Sequence, residues 1–371
     1  MDSFSYPSTK ELSTFLKSEK NKKILVLCGE NSFKKSGAKK MFDNLISNQT
    51  IKYYFKKNFY PDLKELKEII YFLKEFSPEI IVAIGGGSVL DYAKMANVLI
   101  DNKSLDKEII NSNYKLNKKS AKLITIPTTA GSGAEVTSNA VIYVDKVKFS
   151  IESDELKPDL FFLVPELVIN ASEKIKSSAG FDAIAQSLES LISKKSNEKS
   201  VEYAKKSLQI SFKYFLDYLK NPNLNNTSAM CLAANLSGKA ISISKTTAPH
   251  AVSYPFTSIY NVSHGHAVSL TLNKFLKYNY QNLKSASCKF DLEERFKIMF
   301  KVSNTTSIES FDQFLKDLLK KANLENNFTK LGIDIEKDFE KIISGVNILR
   351  LSNNPIELKK SDLKKIILNS K

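Results

Sequence analysis

Between Lys23 and Pro127 the chain alternates short β-branched apolar runs with stretches whose apolar residues recur at helical spacing. That alternation restricts the possible fold more than any other feature. Runs at 23–28, 52–55, 79–84 and 122–126 read as strands, the first ending in a turn at 29–32. Helices are expected near 36–48, over 63–76, and after the glycines at 85–87. Strands alternating with helices indicate a mostly parallel, doubly wound sheet. Further apolar runs at 139–144, 147–151 and 160–164 are expected to extend or edge it. Beyond about residue 172 the pattern changes, and helical spacing dominates at 173–194, 198–220, 227–243, 264–282, 290–303 and 309–322. The expected architecture is therefore α/β: a doubly wound, mostly parallel sheet domain over 1–172 and an all-helical domain over 173–371.

The length of 371 residues suits two domains, because single cores stop growing near roughly 250–300 residues. No apolar run reaches the roughly 18–20 residues that a membrane span requires. The start, Met-Asp-Ser-Phe-Ser-Tyr-Pro, shows no basic stretch leading into an apolar one, so no secretory signal is expected. Three widely spaced cysteines, Cys28, Cys231 and Cys288, argue against a disulfide framework and for the reducing cytoplasm. The formal charge of +15 raises the question of nucleic acid. Lysine is spread along the whole chain among Glu, Asp and Asn, without aromatic-basic clusters, so neither nucleic acid nor membrane is an expected partner. Such a charge favours encounter with small anionic substrates.

Two loops after successive strands have the chemistry of nucleotide contact. Gly85-Gly86-Gly87-Ser88 joins a strand end to a helix that carries Asp91 and Lys94. Glycines let backbone approach a ligand closely, and a helix start presents N–H groups to phosphate. Pro127-Thr128-Thr129-Ala130-Gly131-Ser132-Gly133 follows the fourth strand with a high density of hydroxyls. Neither is the G-x-G-x-x-G fingerprint, so an ordinary Rossmann domain is not indicated. Together the loops point to a dinucleotide at the carboxyl ends of the strands.

All three histidines, His250, His264 and His266, lie close together in the second half. Histidine is the commonest metal ligand. Upstream, Asp182 and Gln186 are spaced i, i+4 and share one helix face. Two imidazoles and a carboxylate suffice to hold a divalent ion with an open position. Pro255 and Asn261-Val262-Ser263 are expected to form a loop that returns the second histidine to the ion.

These residues, in this order, bring a family into view. The sequence resembles the iron-containing (group III) alcohol dehydrogenases over nearly its whole length, through 85–88 with Asp91 and Lys94, 127–135, Gly180-Phe181-Asp182-Ala183, and His250 with His264-Gly265. The resemblance implies metal ligation by Asp182, Gln186, His250 and His264, with Gln186, a weaker ligand than imidazole, in a place where Fe²⁺-dependent members commonly have His. It implies Fe²⁺, with Zn²⁺ as the alternative that three strong ligands also suit. It implies NADPH or NADH bound by Gly29, Gly85, Gly86, Gly87, Ser88, Asp91, Lys94, Thr128, Thr129 and Ser132. NAD-preferring members often have Asp at the end of the first strand; here Gly29 stands there, followed by Glu30.

The segment 245–258 with His264-Gly265-His266 is similar to phosphonoacetaldehyde reductases, a subgroup that forms 2-hydroxyethylphosphonate. That similarity implies an anionic aldehyde contacted by Lys245, Thr246, Thr247, His266 and Arg350, with His266 or Tyr254 as proton donor. The alternatives are another small aldehyde, such as lactaldehyde or a semialdehyde, a dehydroquinate-synthase-like lyase, and a binding protein that kept the fold. A homodimer or larger homo-oligomer is the expected assembly.

Overall fold

The computed structural model describes residues 8–45, 49–102, 104–145 and 147–368. The described chain forms two compact units: Met1–Ala171 with Asn223–Asn235, and Ser172–Pro222 with Leu236–Lys371.

The first unit is built on five parallel strands, β1 (Lys23–Gly29), β2 (Thr50–Lys56), β3 (Ile80–Gly85), β4 (Lys122–Pro127) and β7 (Leu160–Phe161), in the order β2-β1-β3-β4-β7. Side chains of successive strand residues face opposite sides, and both sides are apolar. Leu25, Leu27, Ile81, Ala83 and Leu123 pack with the helices Leu63–Phe76 and Gly87–Val98. Ile24, Val26, Cys28, Val82, Ile84, Ile124 and Ile126 pack with Leu12, Leu16, Phe33 and Phe42 on the other side. A sheet covered on both faces is what such continuous apolar runs require.

Local sequence sets the helix limits. Asp62 caps Leu63–Phe76 by accepting from the Glu65 N–H at 3.0 Å. The helix ends where Ser77 turns left-handed (φ 47°) and its N–H returns to the Leu73 carbonyl. Leu66, Ile69, Ile70, Leu73 and Phe76 form its buried stripe.

Three sequence expectations about this unit need correction. The stretch 29–32 is not an isolated turn; Gly29 caps a helix, Glu30–Lys35, anchored by buried Phe33. The helix expected over 36–48 covers Ala38–Leu45 among the described residues, and 46–48 lie outside them. The runs at 139–144 and 147–151 do not extend the sheet. As β5 (Asn139–Val144) and β6 (Val147–Glu152) they pair with each other, antiparallel. The open side of β4 is taken by β7, and the hairpin instead buries Ala140, Ile142, Val144 and Ile151 against the helix Gly87–Val98.

The second unit is helical, with one β-bridge, Ala286 to Ile356, among its described residues. Its central helix, Glu173–Ile192, is buried on nearly every side, so its polar residues are buried too. Around it stand Glu198–Lys220, the end of Leu224–Ser244, Ala248–Tyr260, His264–Ser269 and Leu292–Ser303. The single helix expected over 264–282 breaks into His264–Ser269 and Leu272–Gln281 at Thr271, whose φ of −129° is outside the helical range.

Candidate metal centre and nucleotide loops

Asp182, Gln186 and Glu189 stand at spacings of four and three on the central helix, which aligns them in one stripe. His250 lies in the first turn of Ala248–Tyr260, and His264 begins the next helix. Asn261 adopts the left-handed conformation (φ 55°), and the Val262 N–H returns to the Phe256 carbonyl at 3.2 Å. Residues 261–263 thus suffice to reverse the chain. Pro255 lies inside the preceding helix and not in a loop, contrary to the sequence expectation. A proline there removes the N–H that would bond the carbonyl of Ala251. The Asn347 N–H supplies that bond from another segment, at 3.3 Å.

The outcome is a convergence of three ligand-competent side chains. Asp182 Oδ1 is 3.2 Å from His250 Nε2 and 4.0 Å from His264 Nε2. The candidate ligand atoms all lie within 4.8 Å of one another. The two imidazole rings meet edge-on, 5.3 Å between centroids. Asp182 and His250 are buried, whereas the His264 side chain is 34% exposed, so the cluster opens on the His264 side.

Gly265 makes this approach possible. A Cβ there would lie 2.0 Å from the Ser178 carbonyl oxygen and 2.8 Å from Asp182 Cβ. Only glycine lets the His264 helix lie this close to the helix that carries Asp182.

Hydrogen bonds orient Asp182 and His250. Gln186 donates from Nε2 to Asp182 Oδ2 at 3.2 Å, and its Oε1 accepts from the Ser237 hydroxyl at 3.0 Å. Asp182 Oδ2 is therefore engaged, and Oδ1 faces the imidazoles. His250 Nδ1 meets Glu189 Oε1. Burial opposes a charged His250 ring, yet the Glu189 charge and hydrogen bonds to Asp182 and Glu189 outweigh it and raise its pKa to about 9. Two buried carboxylates require positive charge nearby. A divalent cation meets that requirement, and one carboxylate with two imidazoles is a donor set for Fe²⁺ or Zn²⁺. The residues fit the metal.

The remaining expected site residues of this unit are distributed around the cluster. The Tyr254 ring is buried, 6.1 Å from that of His264. His266 donates from Nε2 to the Glu325 carbonyl at 2.6 Å, and burial holds its pKa below the usual range. Thr247 donates its N–H and its hydroxyl to Glu189. Lys245 is left-handed (φ 61°) at the end of Leu224–Ser244, and the Thr246 carbonyl accepts from Asn353 Nδ2 at 3.1 Å. Arg350 is buried in a segment tied to the His250 region by the Asn347–Ala251 and Asn353–Thr246 bonds. Glu189 and Ser237 escape sequence reasoning. The signal for Glu189 was available: an acid seven residues after Asp182, in the last turn of the helix, beside Leu188 and Leu191.

In the first unit, the sheet changes direction between β1 and β3, since β2 lies beyond one and β4 beyond the other. The strand ends Gly29, Gly85 and Pro127 open there, at the place where α/β sheets bind ligands. Gly86 caps the helix Gly87–Val98, and the Thr128 N–H bonds the Gly85 carbonyl at 3.0 Å. A Cβ on Gly87 would lie 2.8 Å from Ser132 Oγ, and one on Gly86 would lie 3.6 Å from Thr129 Oγ1. The two loops are thus in contact, and Gly86, Gly87, Ser88, Thr129 and Ser132 remain partly exposed among buried neighbours. Asp91 and Lys94 face the hairpin. Asp91 accepts from the Val141 N–H, and Lys94 Nζ donates to Thr137 Oγ1 and the Asn139 carbonyl.

Comparison with known proteins agrees with this geometry. The family model for iron-containing alcohol dehydrogenase matches residues 4–165, and that for the C-terminal part of Fe-containing alcohol dehydrogenases matches 176–370. The chain is 30% identical to the phosphonoacetaldehyde reductase of Streptomyces viridochromogenes over 218 residues, 56% of this chain and only 55% of that protein's length. It is 28% identical to the 4-hydroxybutyrate dehydrogenase of Clostridium kluyveri over 74% of each chain. Among solved structures, the sulfoacetaldehyde reductase of Bifidobacterium kashiwanohense in complex with NAD⁺ superposes with a TM-score of 0.85 over 97% of this chain and 94% of that one, at 24% identity.

Proposed function

The chain belongs to the iron-containing alcohol dehydrogenase family, whose members use NAD(P) and a divalent metal, and from that premise we propose that it is a metal-dependent NAD(P)H aldehyde reductase acting on phosphonoacetaldehyde. The observation that carries the reductase assignment is the convergence of buried Asp182 and His250 with partly exposed His264. When bound there, the ion supplies Lewis acidity to a carbonyl oxygen, and the nicotinamide supplies the hydride.

The protein's own groups do the rest. Asp182, His250 and His264 would hold the ion, and Gln186, which donates to Asp182 Oδ2, would direct Asp182 and not itself be needed as a ligand. The partly exposed His264 side gives the aldehyde its way in. Tyr254, beside His264, is the better placed proton donor, because His266 gives its Nε2 proton to Glu325. The loops at 85–88 and 128–132 hold the dinucleotide, the Gly residues by backbone approach and the Thr and Ser hydroxyls by hydrogen bonds. At the end of β1 Gly29 has no carboxylate, and the exposed Glu30 pairs with Lys34 at 2.7 Å. Both features accommodate NADPH as well as NADH.

Three observations support an anionic substrate: the net charge of +15, the joining of the segments that carry Lys245 and Arg350 through the Asn353–Thr246 bond beside the His250 helix, and relatives whose names specify phosphono- and sulfo-aldehydes. The match to 4-hydroxybutyrate dehydrogenase favours a second reading, an aldehyde whose anionic group is a carboxylate.

The test follows NADPH or NADH absorbance with protein loaded separately with Fe²⁺ and Zn²⁺. Phosphonoacetaldehyde, succinic semialdehyde and acetaldehyde are compared. Fast turnover with phosphonoacetaldehyde alone is expected. Equal or faster turnover with succinic semialdehyde selects the carboxylate reading, and equal turnover with acetaldehyde removes the anion requirement.

A further inference from the structure

We propose that Glu189 is the positioning residue of the metal centre, holding the His250 ring so that Nε2 is the atom offered to the ion. The proposal rests on the reading of Asp182, His250 and His264 as the ligands. Glu189 is wholly buried on the central helix. One of its oxygens, Oε1, meets His250 Nδ1. The other accepts from the Thr247 N–H at 2.7 Å, from the Thr247 hydroxyl at 2.9 Å, and weakly from the His250 N–H at 3.5 Å.

These bonds address two separate problems. A neutral imidazole has one N–H and one lone pair, and a carboxylate at Nδ1 holds the hydrogen there, which leaves the Nε2 lone pair for a metal. The start of Ala248–Tyr260, in addition, has N–H groups without intrahelical partners. Thr247 stands at the N-cap but makes no capping bond with its own helix; its hydroxyl goes to Glu189. Glu189 therefore caps this helix from outside and orients its histidine with the same carboxylate. The arrangement fixes both the rotation of the ring and the position of the helix turn that carries it. Thr247 serves as the tether between the two.

The test uses the full chain and Zn²⁺, with Glu189→Gln and Thr247→Val. Glu189→Gln keeps the shape but places an amide N–H against the donors of Thr247. Zn²⁺ affinity is measured by competition with a chromophoric chelator. The imidazole nitrogens are assigned by ¹⁵N NMR, which only three histidines make tractable. NADPH binding serves as the control for an intact first unit. Expected for the wild type is His250 bound through Nε2 with Nδ1 protonated. Expected for Glu189→Gln is Zn²⁺ binding weaker by about 10–100-fold, and for Thr247→Val a smaller loss, both with NADPH binding preserved. Wild-type Zn²⁺ affinity in both variants, or ligation of His250 through Nδ1, overturns the role of Glu189 alone. Failure of the wild type to bind Zn²⁺ overturns the metal centre, and this role with it. Should Glu189→Gln not fold, Thr247→Val decides the matter by the same readings.

Discussion

The proposed nucleotide loops and the proposed metal centre are built on opposite principles. The loops at 85–88 and 128–132 owe their shape to what is absent: glycines whose missing side chains leave room for the other loop, as at Gly87 beside the Ser132 side chain. The proposed metal centre depends on side chains from three helices, with two of its three ligands held by another residue: Asp182 by Gln186, and His250 by Glu189. A site made of backbone is specified by a few consecutive residues. A convergent side-chain site is specified by packing between elements far apart in sequence, and its weakest point is a helix–helix contact. If so, each site should be separately breakable.

The largest effect is expected at Gly265. Gly265→Val places atoms into the Ser178 carbonyl, which as backbone of the central helix cannot yield. Overpacking of this kind costs about 1–3 kcal/mol or more, and the separation of His264 from Asp182 should abolish metal retention. Metal content measured after dialysis checks this, with NADPH titration expected to be unchanged.

The converse variant is Gly87→Val. Its side chain meets Ser132 Oγ, which must rotate away, and fills the approach between the two loops. Nucleotide binding should weaken by about 1–3 kcal/mol, again the range for overpacking, while metal content stays at the wild-type level. Fluorescence titration with NADPH would show it. If either variant damages both sites equally, the contrast between them is lost.

A smaller effect concerns the buried pair behind the glycine loop. Burial pushes the Lys94 pKa down to about 8, against the neighbouring charges of Asp91 and Glu135, and pushes Asp91 up to about 6. Between about 8 and the unfolded lysine value near 10.5, the unfolded chain holds a proton that the folded chain has lost. Stability attributable to Lys94 therefore rises with pH in that window, by up to about 1.4 kcal/mol per pH unit. Relative to Lys94→Met, the wild type should become more stable from pH 8 to pH 10 in denaturant titrations. A difference that stays constant with pH would show that Lys94 is not shifted by burial.

Much of this molecule was legible in its sequence, for identifiable reasons. Apart from their first residues and Thr125, the strands at 23–28, 79–84 and 122–126 are apolar because both faces of the sheet are covered, and the helix over 63–76 has its own cap and stop signals. The trio Asp182, His250 and His264 was legible because histidine is rare in this chain. Other features depend on tertiary partners. The β5–β6 hairpin reads as sheet until the helix it covers is known. Pro255 reads as a loop residue until Asn347 is seen to satisfy Ala251. Glu189 reads as one more helical acid until its three donors are in place.

The most direct measurement is a paired titration of wild type and Asp182→Ala with Zn²⁺ and with NADPH. The wild type should bind an equimolar amount of zinc, and Asp182→Ala should lose it, with NADPH affinity the same in both. Zinc binding that survives the loss of Asp182, or is absent from the wild type, would contradict a metal centre at Asp182, His250 and His264.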